Sequence, residues 1–351
     1  MLLPSEFREL VSGRQRGVKA ALVRTGLRLA EIPYGLAVRW RNYRFDSGGY
    51  EIHRAAVPVV SVGNLTLGGT GKTPMVEWIA RRFCERGIRV AVVSRGYGVK
   101  AGSANDEAME LGQRLPNVSH VQNPNRVEAA RRAAHELGCQ LIVLDDGFQH
   151  RRLARDLDLV LLDALEPFGF GHVFPRGTLR EPVTALRRAH VVVLSRAAML
   201  APSEREAIRR QVASLAPHVA WAETMHVPQA LRSASGREVP IRSLNGKTVA
   251  AFCGVGNPAG FQDTLRLCGY RVIAFREFAD HYRYPRADVE SLIAWADGLD
   301  VEAVLCTHKD LVKLQADRLG SRPLWAVTIA VEFLSGQAGL EAALARLMPG
   351  P

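Results

Sequence analysis

The 351-residue sequence predicts an α/β protein with mostly parallel sheets in two domains, and three observations carry that expectation. Strand-length runs that are apolar but for a single Ser or Asp occur at residues 57–62, 90–94, 141–145, 159–163 and 191–195, with helix-period segments such as 74–86 and 126–137 between the first three. Uniformly apolar strands alternating with helices belong to a parallel sheet covered on both faces. A second series of the same kind follows residue 246, with strand-like runs at 248–253, 270–275, 303–307 and 324–329. The length suits two domains, each with its own core.

The first 45 residues follow a different pattern. Nine basic residues, Arg24, Arg28, Arg39 and Arg44 among them, stand against Glu6, Glu9 and Glu31. Phe7, Leu10, Val18, Leu22, Leu27, Leu29, Ile32, Tyr34, Leu36, Val38, Trp40 and Tyr43 interleave with them at helical spacing, and Pro33 is expected as a kink or break. Basic residues on one face with Trp, Tyr and Leu on another suit a helix lying in a membrane interface. A helix packed on the domain through its apolar side fits the same pattern.

The first strand runs into residues 63–74, GNLTLGGTGKTP, followed by a helix-period segment with Met75, Val76, Trp78, Ile79 and Phe83. Strand, glycine loop, Gly-Lys-Thr and helix is the context of a phosphate-binding P-loop. Gly68, Gly69 and Gly71 let backbone N–H groups turn around an anion, and the helix N-terminus adds unpaired donors. Thr66, Leu67, Gly68, Gly69, Thr70, Gly71, Lys72 and Thr73 are therefore the expected nucleotide-binding residues. Lys72 is expected on the β/γ-phosphates and the Thr73 hydroxyl on Mg²⁺. The consensus asks for glycine where this chain has Thr66.

Residues 141–150, LIVLDDGFQH, are four apolar residues ending in acids, the Walker B pattern. Asp145 falls at the C-terminal end of a buried strand, where open α/β sheets place ligands. Asp145 and Asp146 are the expected Mg²⁺ ligands, and Gln149 and His150 complete a polar cluster. At the same edge, residues 94–98 offer Arg95 to phosphate and Tyr97 to a sugar or phosphate. Asp106, followed by Glu107, is either a helix N-cap or a general base beside a phosphoryl acceptor. Arg176, Arg180 and Glu181 lie in residues 175–182, a glycine- and proline-bearing loop suited to an anion. In the second domain, Asp280 could orient or charge His281, and His308 ends a further strand. Residues 254–256, GVG, read as a tight strand-to-helix turn.

Composition limits the alternatives. A net charge of +11 favours an anionic partner. No run of about 18 uncharged apolar residues suggests a membrane span, and the N-terminus lacks a signal-peptide pattern. Cys84, Cys139, Cys253, Cys268 and Cys306 are scattered, as expected of free thiols.

Taken in order, residues 63–74, 94–98, Asp106 with Glu107, 145–150, 179–182, 280–284 and Lys309 with Asp310 resemble the tetraacyldisaccharide 4'-kinases, the lipid A kinases of Gram-negative bacteria. The resemblance spans nearly the whole chain, and the family's P-loop also lacks the first consensus glycine. It implies a P-loop NTPase-like domain at residues 46–224 and a linker at 225–246. A smaller Rossmann-like α/β domain follows at 247–351, and a basic amphipathic segment at 1–45 lies against the membrane. It implies transfer of the ATP γ-phosphoryl, with Mg²⁺, to the 4'-hydroxyl of a tetraacylated glucosamine disaccharide 1-phosphate, giving lipid IVA. The enzyme would be peripheral at the cytoplasmic face of the inner membrane, with neither nucleic acid nor an obligate protein partner. Asp106 would be the general base, assisted by His281 or His308, with Lys72 catalytic. Arg95, Tyr97, Glu107, Gln149, His150, Arg180 and Glu181 would meet the substrate. The chain departs from the family in carrying Asn105, Asp106, Glu107 and Ala108 where Gly-Asp-Glu-Pro is usual. A nucleotide switch acting through partner proteins, or a nucleic-acid-dependent ATPase, shares the P-loop and Walker B signals.

Overall fold

The computed structural model describes residues 4–96, 106–280 and 282–348. Two helices come first, α1 (Pro4–Ser12) and α2 (Val18–Asp46). Then follow β1 (Val59–Asn64), α3 (Lys72–Cys84), β2 (Val90–Ser94), α4 (Asp106–Arg114), β3 (Ser119–Gln122), α5 (Arg126–His135), β4 (Leu141–Asp145) and β5 (Leu157–Asp163). The middle of the chain gives β6 (Val191–Ser195), α6 (Pro202–Leu215), β7 (Ala220–Arg232), β8 (Glu238–Pro240), β9 (Thr248–Cys253) and α7 (Pro258–Leu267). The last elements are β10 (Arg271–Glu277), α8 (Arg286–Asp297), β11 (Ala303–Thr307), α9 (His308–Leu314), β12 (Arg318–Leu319), β13 (Arg322–Ser335) and α10 (Gln337–Ala345).

The chain forms two compact units, one of Met1–Gly96, Asn117–Met225 and Glu332–Pro351, the other of Tyr97–Pro116 and His226–Val331. It passes from the first to the second within β7 and returns within β13.

In the first unit the strands lie in the order β7, β6, β5, β1, β4, β2, β3, parallel at every pairing. β1, β4, β5 and β6 are buried along their whole length, as the apolar runs predict for strands covered on both faces. The chain moves to one side of β1 through β2, β3 and β4, then to the other through β5 and β6. The C-terminal end of β1 is therefore a switch point, where the crossovers part and leave room for a ligand. α3 starts there, and it buries Met75, Val76, Ile79, Ala80 and Phe83 against the sheet. The last residues of β13 close on this unit, with the Phe333 and Trp78 ring centres 4.9 Å apart.

α2 continues through Pro33, where the sequence predicted a kink or break. An internal proline costs a helix about 3 kcal/mol. Contacts on both sides of it supply the compensation. The Glu31 carboxylate accepts from the Val173 N–H at 3.0 Å, and Tyr34 donates its hydroxyl to the Arg180 carbonyl at 2.9 Å. Ala20, Val38 and Phe45 are buried on the same side. The opposite side of α2 is exposed and carries Val18, Leu22, Leu29, Ile32, Leu36, Trp40 and Tyr43. These recur at intervals of three, four or seven residues, which keeps them on one stripe. No described helix is long and apolar enough to cross a membrane.

In the second unit β10, β9, β11 and β13 lie side by side and parallel, and β12 turns back antiparallel on β13. Residues 225–246 include an antiparallel ribbon in which Ala230 of β7 faces Pro240 of β8. α4, which in sequence separates β2 from β3, packs here against α9. His308 joins the two helices. Its Nδ1 accepts from Arg114 Nε at 3.2 Å, which leaves Nε2 protonated towards Gln113 Oε1 at 3.0 Å.

Candidate active site

The loop between β1 and α3 is held from inside and outside. Asn64 is fully buried, and its amide donates to the carbonyls of Thr66 (2.9 Å) and Gly68 (3.4 Å). Outside, Arg180 N–H donates to Leu65 O and Leu67 N–H to Thr178 O, both at 2.7 Å. Thr66 thus sits in an antiparallel bridge with Leu179. That explains the missing consensus glycine: an extended, bridged position accepts a β-branched residue. The left-handed positions in the loop are Gly68 (φ 112°) and Gly71 (φ 81°), where only glycine is unstrained. Gly71 is the N-cap of α3, so Lys72 and Thr73 open the helix and its N–H groups face the loop.

The β1–β4 register sets Asp145 beside Val62, one residue before the loop's Gly63. Asp145 is buried, and the chain turns sharply after it, with Asp146 in the left-handed region at φ 53°. That turn aims Asp146 at two cations. Arg180 Nη1 lies 2.9 and 2.8 Å from its two oxygens, and Lys72 Nζ lies 3.5 Å from one of them. Burial alone would push the Asp146 carboxyl up, but Lys72 and Arg180 outweigh it and hold the group below the usual carboxylate range. The turn is packed tightly beneath: a Cβ on Gly63 would fall 2.8 Å from the Phe148 backbone nitrogen, and one on Gly147 2.7 Å from Ser61 Oγ.

His150 closes the same edge. Burial, followed by the charges of Arg126, Arg155, Arg152 and Arg95, pushes its imidazole down to about 4, so the ring is neutral at physiological pH. Lys72, Arg95, Arg126 and Arg180 make this edge of the sheet strongly cationic, which suits polyphosphate. Gln149 donates to Asn64 O at 2.9 Å and to Glu181 Oε1 at 3.0 Å. Glu181 is fully buried, and its carboxylate accepts from Asn42, Gln149 and Arg188 at 3.0 Å each.

Of the residues the sequence singled out, the structure brings together Thr66 to Thr73, Arg95, Asp145, Asp146, Gln149, His150, Arg180 and Glu181 in the first unit. The side chain of Glu181 is held by protein groups rather than turned to a ligand. Asp106 opens α4 in the second unit; the side chains of Asp106 and Glu107 lie outside the described residues, as do Tyr97 and His281 altogether. His308 is buried, with both ring nitrogens engaged by α4. Sequence reasoning missed Arg126, buried in the first turn of α5 and close enough to act on both Asp146 and His150. Its signal was present: it follows an Asn125 N-cap at the sheet's C-terminal edge. Arg188, 4.5 Å from the Phe148 ring centre and paired with Glu181, had no local signal.

Hard oxygen donors suit a divalent cation here: the Thr73 hydroxyl at the helix start and the Asp145 carboxylate at the end of β4. A cation held by these would complete its shell with phosphate oxygens and water. Among the described residues, no three His, Cys, Asp or Glu side chains converge to hold a metal unaided.

A glycine loop capping α3, a lysine and hydroxyl at the helix start, and an acidic turn at the neighbouring strand end define a P-loop nucleotide-binding protein. The profile of the tetraacyldisaccharide-1-P 4'-kinase family matches residues 23–349. The chain is 43% identical to the tetraacyldisaccharide 4'-kinase of Anaeromyxobacter sp. (strain K), over 96% of this chain and 94% of that one. It is 36% identical to that of Geobacter sulfurreducens, over 97% and 98%. The crystal structure of the LpxK protein of Aquifex aeolicus in complex with ATP superposes with a TM-score of 0.75 at 29% identity, covering 93% of this chain and all of that one. The chain belongs to the tetraacyldisaccharide-1-P 4'-kinase family.

Proposed function

We propose that this protein transfers the γ-phosphoryl group of ATP to the 4'-hydroxyl of a tetraacylated glucosamine disaccharide 1-phosphate, forming lipid IVA for lipid A biosynthesis. The observation that carries the reading is the convergence of Lys72 and Arg180 on Asp146 at the mouth of a P-loop, in a chain of this family. Phosphoryl transfer asks mainly for positioning and charge neutralisation. The amides of residues 68–73 and the Lys72 side chain hold the β- and γ-phosphates, the Leu67 N–H being taken by Thr178 O, and Arg126 and Arg95 add positive charge at the same edge. Asp146, kept ionised by its cations, fixes where Lys72 and Arg180 stand before nucleotide arrives. Thr73 and Asp145 would hold Mg²⁺, which when bound neutralises charge on the phosphate oxygens; with its carboxylate taken by Arg180 and Lys72, Asp146 is the less suited ligand. Asp106 accepts the proton of the sugar hydroxyl, and His281 orients or tunes it. Tyr97, Glu107 and His150 contribute to binding the sugar phosphate, whereas Gln149, like Glu181, is held by protein groups and supports Arg180. In this reading residues 1–45 meet the lipid surface and the first unit holds the nucleotide; the sequence-based bounds 46–224 and 247–351 give way to units in which residues 97–116 join the second and 332–351 return to the first, because α4 packs on α9 and the end of β13 packs on α3.

The acceptor's acyl chains stay in the bilayer, since each CH₂ withdrawn costs about 0.8 kcal/mol. The exposed stripe of α2, flanked by Lys19, Arg28 and Arg39, supports peripheral attachment to an anionic surface at the cytoplasmic face of the inner membrane. Incubation with Mg·ATP and the acceptor in micelles tests the reading. A new phosphomonoester on the distal sugar, located by ³¹P NMR, supports it. Free phosphate alone, with nucleotide-dependent self-association, would favour a nucleotide switch instead.

A further inference from the structure

The inner face of α2 touches the site at two points. Tyr34 donates its hydroxyl to the Arg180 carbonyl at 2.9 Å, and Asn42 donates its amide to Glu181 Oε2 at 3.0 Å. Both acceptors belong to the short segment that pairs with the P-loop through Arg180 N–H to Leu65 O and Leu67 N–H to Thr178 O. Arg180 is thereby gripped three times: its N–H by the P-loop, its carbonyl by α2, its guanidinium by Asp146. Glu181 passes the contact on, because its other oxygen holds Gln149, whose Oε1 lies 3.4 Å from Arg180 Nη1. A third tie joins α2 to the segment after β4. Arg151 donates to the Asn42 carbonyl at 3.1 Å and pairs with Asp46 at 2.6 Å.

We propose that Tyr34 and Asn42 are positioning residues for phosphoryl transfer: from α2 they set the Arg180 backbone and the Glu181 carboxylate, and through these the placement of the Arg180 guanidinium on Asp146. The inference rests on the function proposed above. A guanidinium carried on a long, flexible stem is useful to a transferring phosphoryl group only if its backbone is fixed. Both ends of the strut are half-buried, so each hydrogen bond is shielded from competing water. Because the outer side of the same helix bears the apolar stripe, the strut also sets the distance of Arg180 from any surface on which α2 rests.

The test uses the full chain with Tyr34→Phe, Asn42→Leu and Arg180→Met, singly and with Tyr34→Phe combined with Arg180→Met. Tyr34→Phe removes one oxygen and no packing. We expect lipid phosphorylation by Tyr34→Phe and Asn42→Leu to fall about five- to tenfold in kcat, as for one lost hydrogen bond. KM for ATP and sedimentation with anionic vesicles should stay within twofold. In the Arg180→Met background, Tyr34→Phe should cost less than twofold, because its effect runs through that side chain. A full additional loss in that background, or unchanged kcat in both single variants, overturns the proposal. Amide hydrogen exchange gives a readout independent of the substrate: Tyr34→Phe should speed exchange at Leu67 and Arg180 about tenfold and leave β5 and β6 unchanged. Unchanged exchange at those two amides also overturns it. If wild-type protein phosphorylates no lipid acceptor, the proposed function fails, and exchange alone decides the strut.

Discussion

Replacing Arg180 with methionine keeps most of the side chain's volume and removes its charge from Asp146. Two contacts are lost, at 2.9 and 2.8 Å, while Lys72 remains 3.5 Å away. A hydrogen bond to a charged group is worth about 1.5–3 kcal/mol. The Asp146 side chain is 31% exposed, so solvent screening puts the loss at the lower end, about 1.5 kcal/mol. A contact of that strength from Arg180 to the transferring phosphoryl group, lost from the transition state when the guanidinium is absent, corresponds to roughly a tenfold fall in kcat/KM for the lipid acceptor. The pH profile gives a second reading. Asp146 lies below the usual carboxylate range because Lys72 and Arg180 together outweigh burial. With Arg180 gone, burial counts for more and the group titrates higher. The acid limb of log kcat/KM should therefore move to higher pH. The assay is initial-rate transfer of labelled phosphate in mixed micelles between about pH 4.5 and 8. A kcat/KM within twofold of wild type, with the acid limb unmoved or shifted to lower pH, would refute the reasoning.

Other outcomes follow from the same geometry. Gly63→Ala places a Cβ 2.5 Å from the Phe148 Cβ and should lower unfolding free energy by about 1–3 kcal/mol in denaturant titration, whereas Gly69→Ala, with nothing within 4 Å, should leave stability unchanged. Glutamates at Leu36 and Trp40, 61% and 57% exposed, should cut vesicle sedimentation at least tenfold with little change in thermal midpoint. For His150, the folded value near 4 lies below the ordinary 6.5, so the unfolded chain binds the extra proton between the two. Its contribution is thus present above about pH 6.5 and lost as pH falls towards 4, and His150→Gln should flatten the drop in thermal midpoint between about pH 7 and 5. His308→Ala removes both ties between α9 and α4 and should destabilise the protein by about 2–4 kcal/mol, measured by denaturant unfolding.

What could be read from the sequence was whatever local patterning decides. The apolar runs at 90–94, 141–145, 191–195, 248–253 and 303–307 coincide with β2, β4, β6, β9 and β11, because a strand buried on both faces tolerates no polar interruption. Lys72 and Asp145 were legible for a related reason: Lys72 opens the helix that follows the glycine loop after β1, Asp145 ends β4, and the sheet brings the two strand ends together. Distant chain partners were not legible. Nothing near Asn42 announces Glu181, and nothing near Pro33 announces the contacts at Val173 and Arg180 that keep α2 continuous. The interior placement of Glu181 depends on Arg188, Gln149 and Asn42 arriving from three separate segments. The docking of α4 on α9 depends likewise on His308, whose sequence context is merely a strand end.

The measurement that tests the account most directly is transfer from [γ-³²P]ATP with Mg²⁺ to a tetraacyl disaccharide 1-phosphate in micelles, with Lys72→Ala alongside. The account predicts label in the lipid in proportion to ATP consumed, and none in the Lys72→Ala reaction although that protein is folded. Label released only as free phosphate, at a rate indifferent to the lipid, would contradict it.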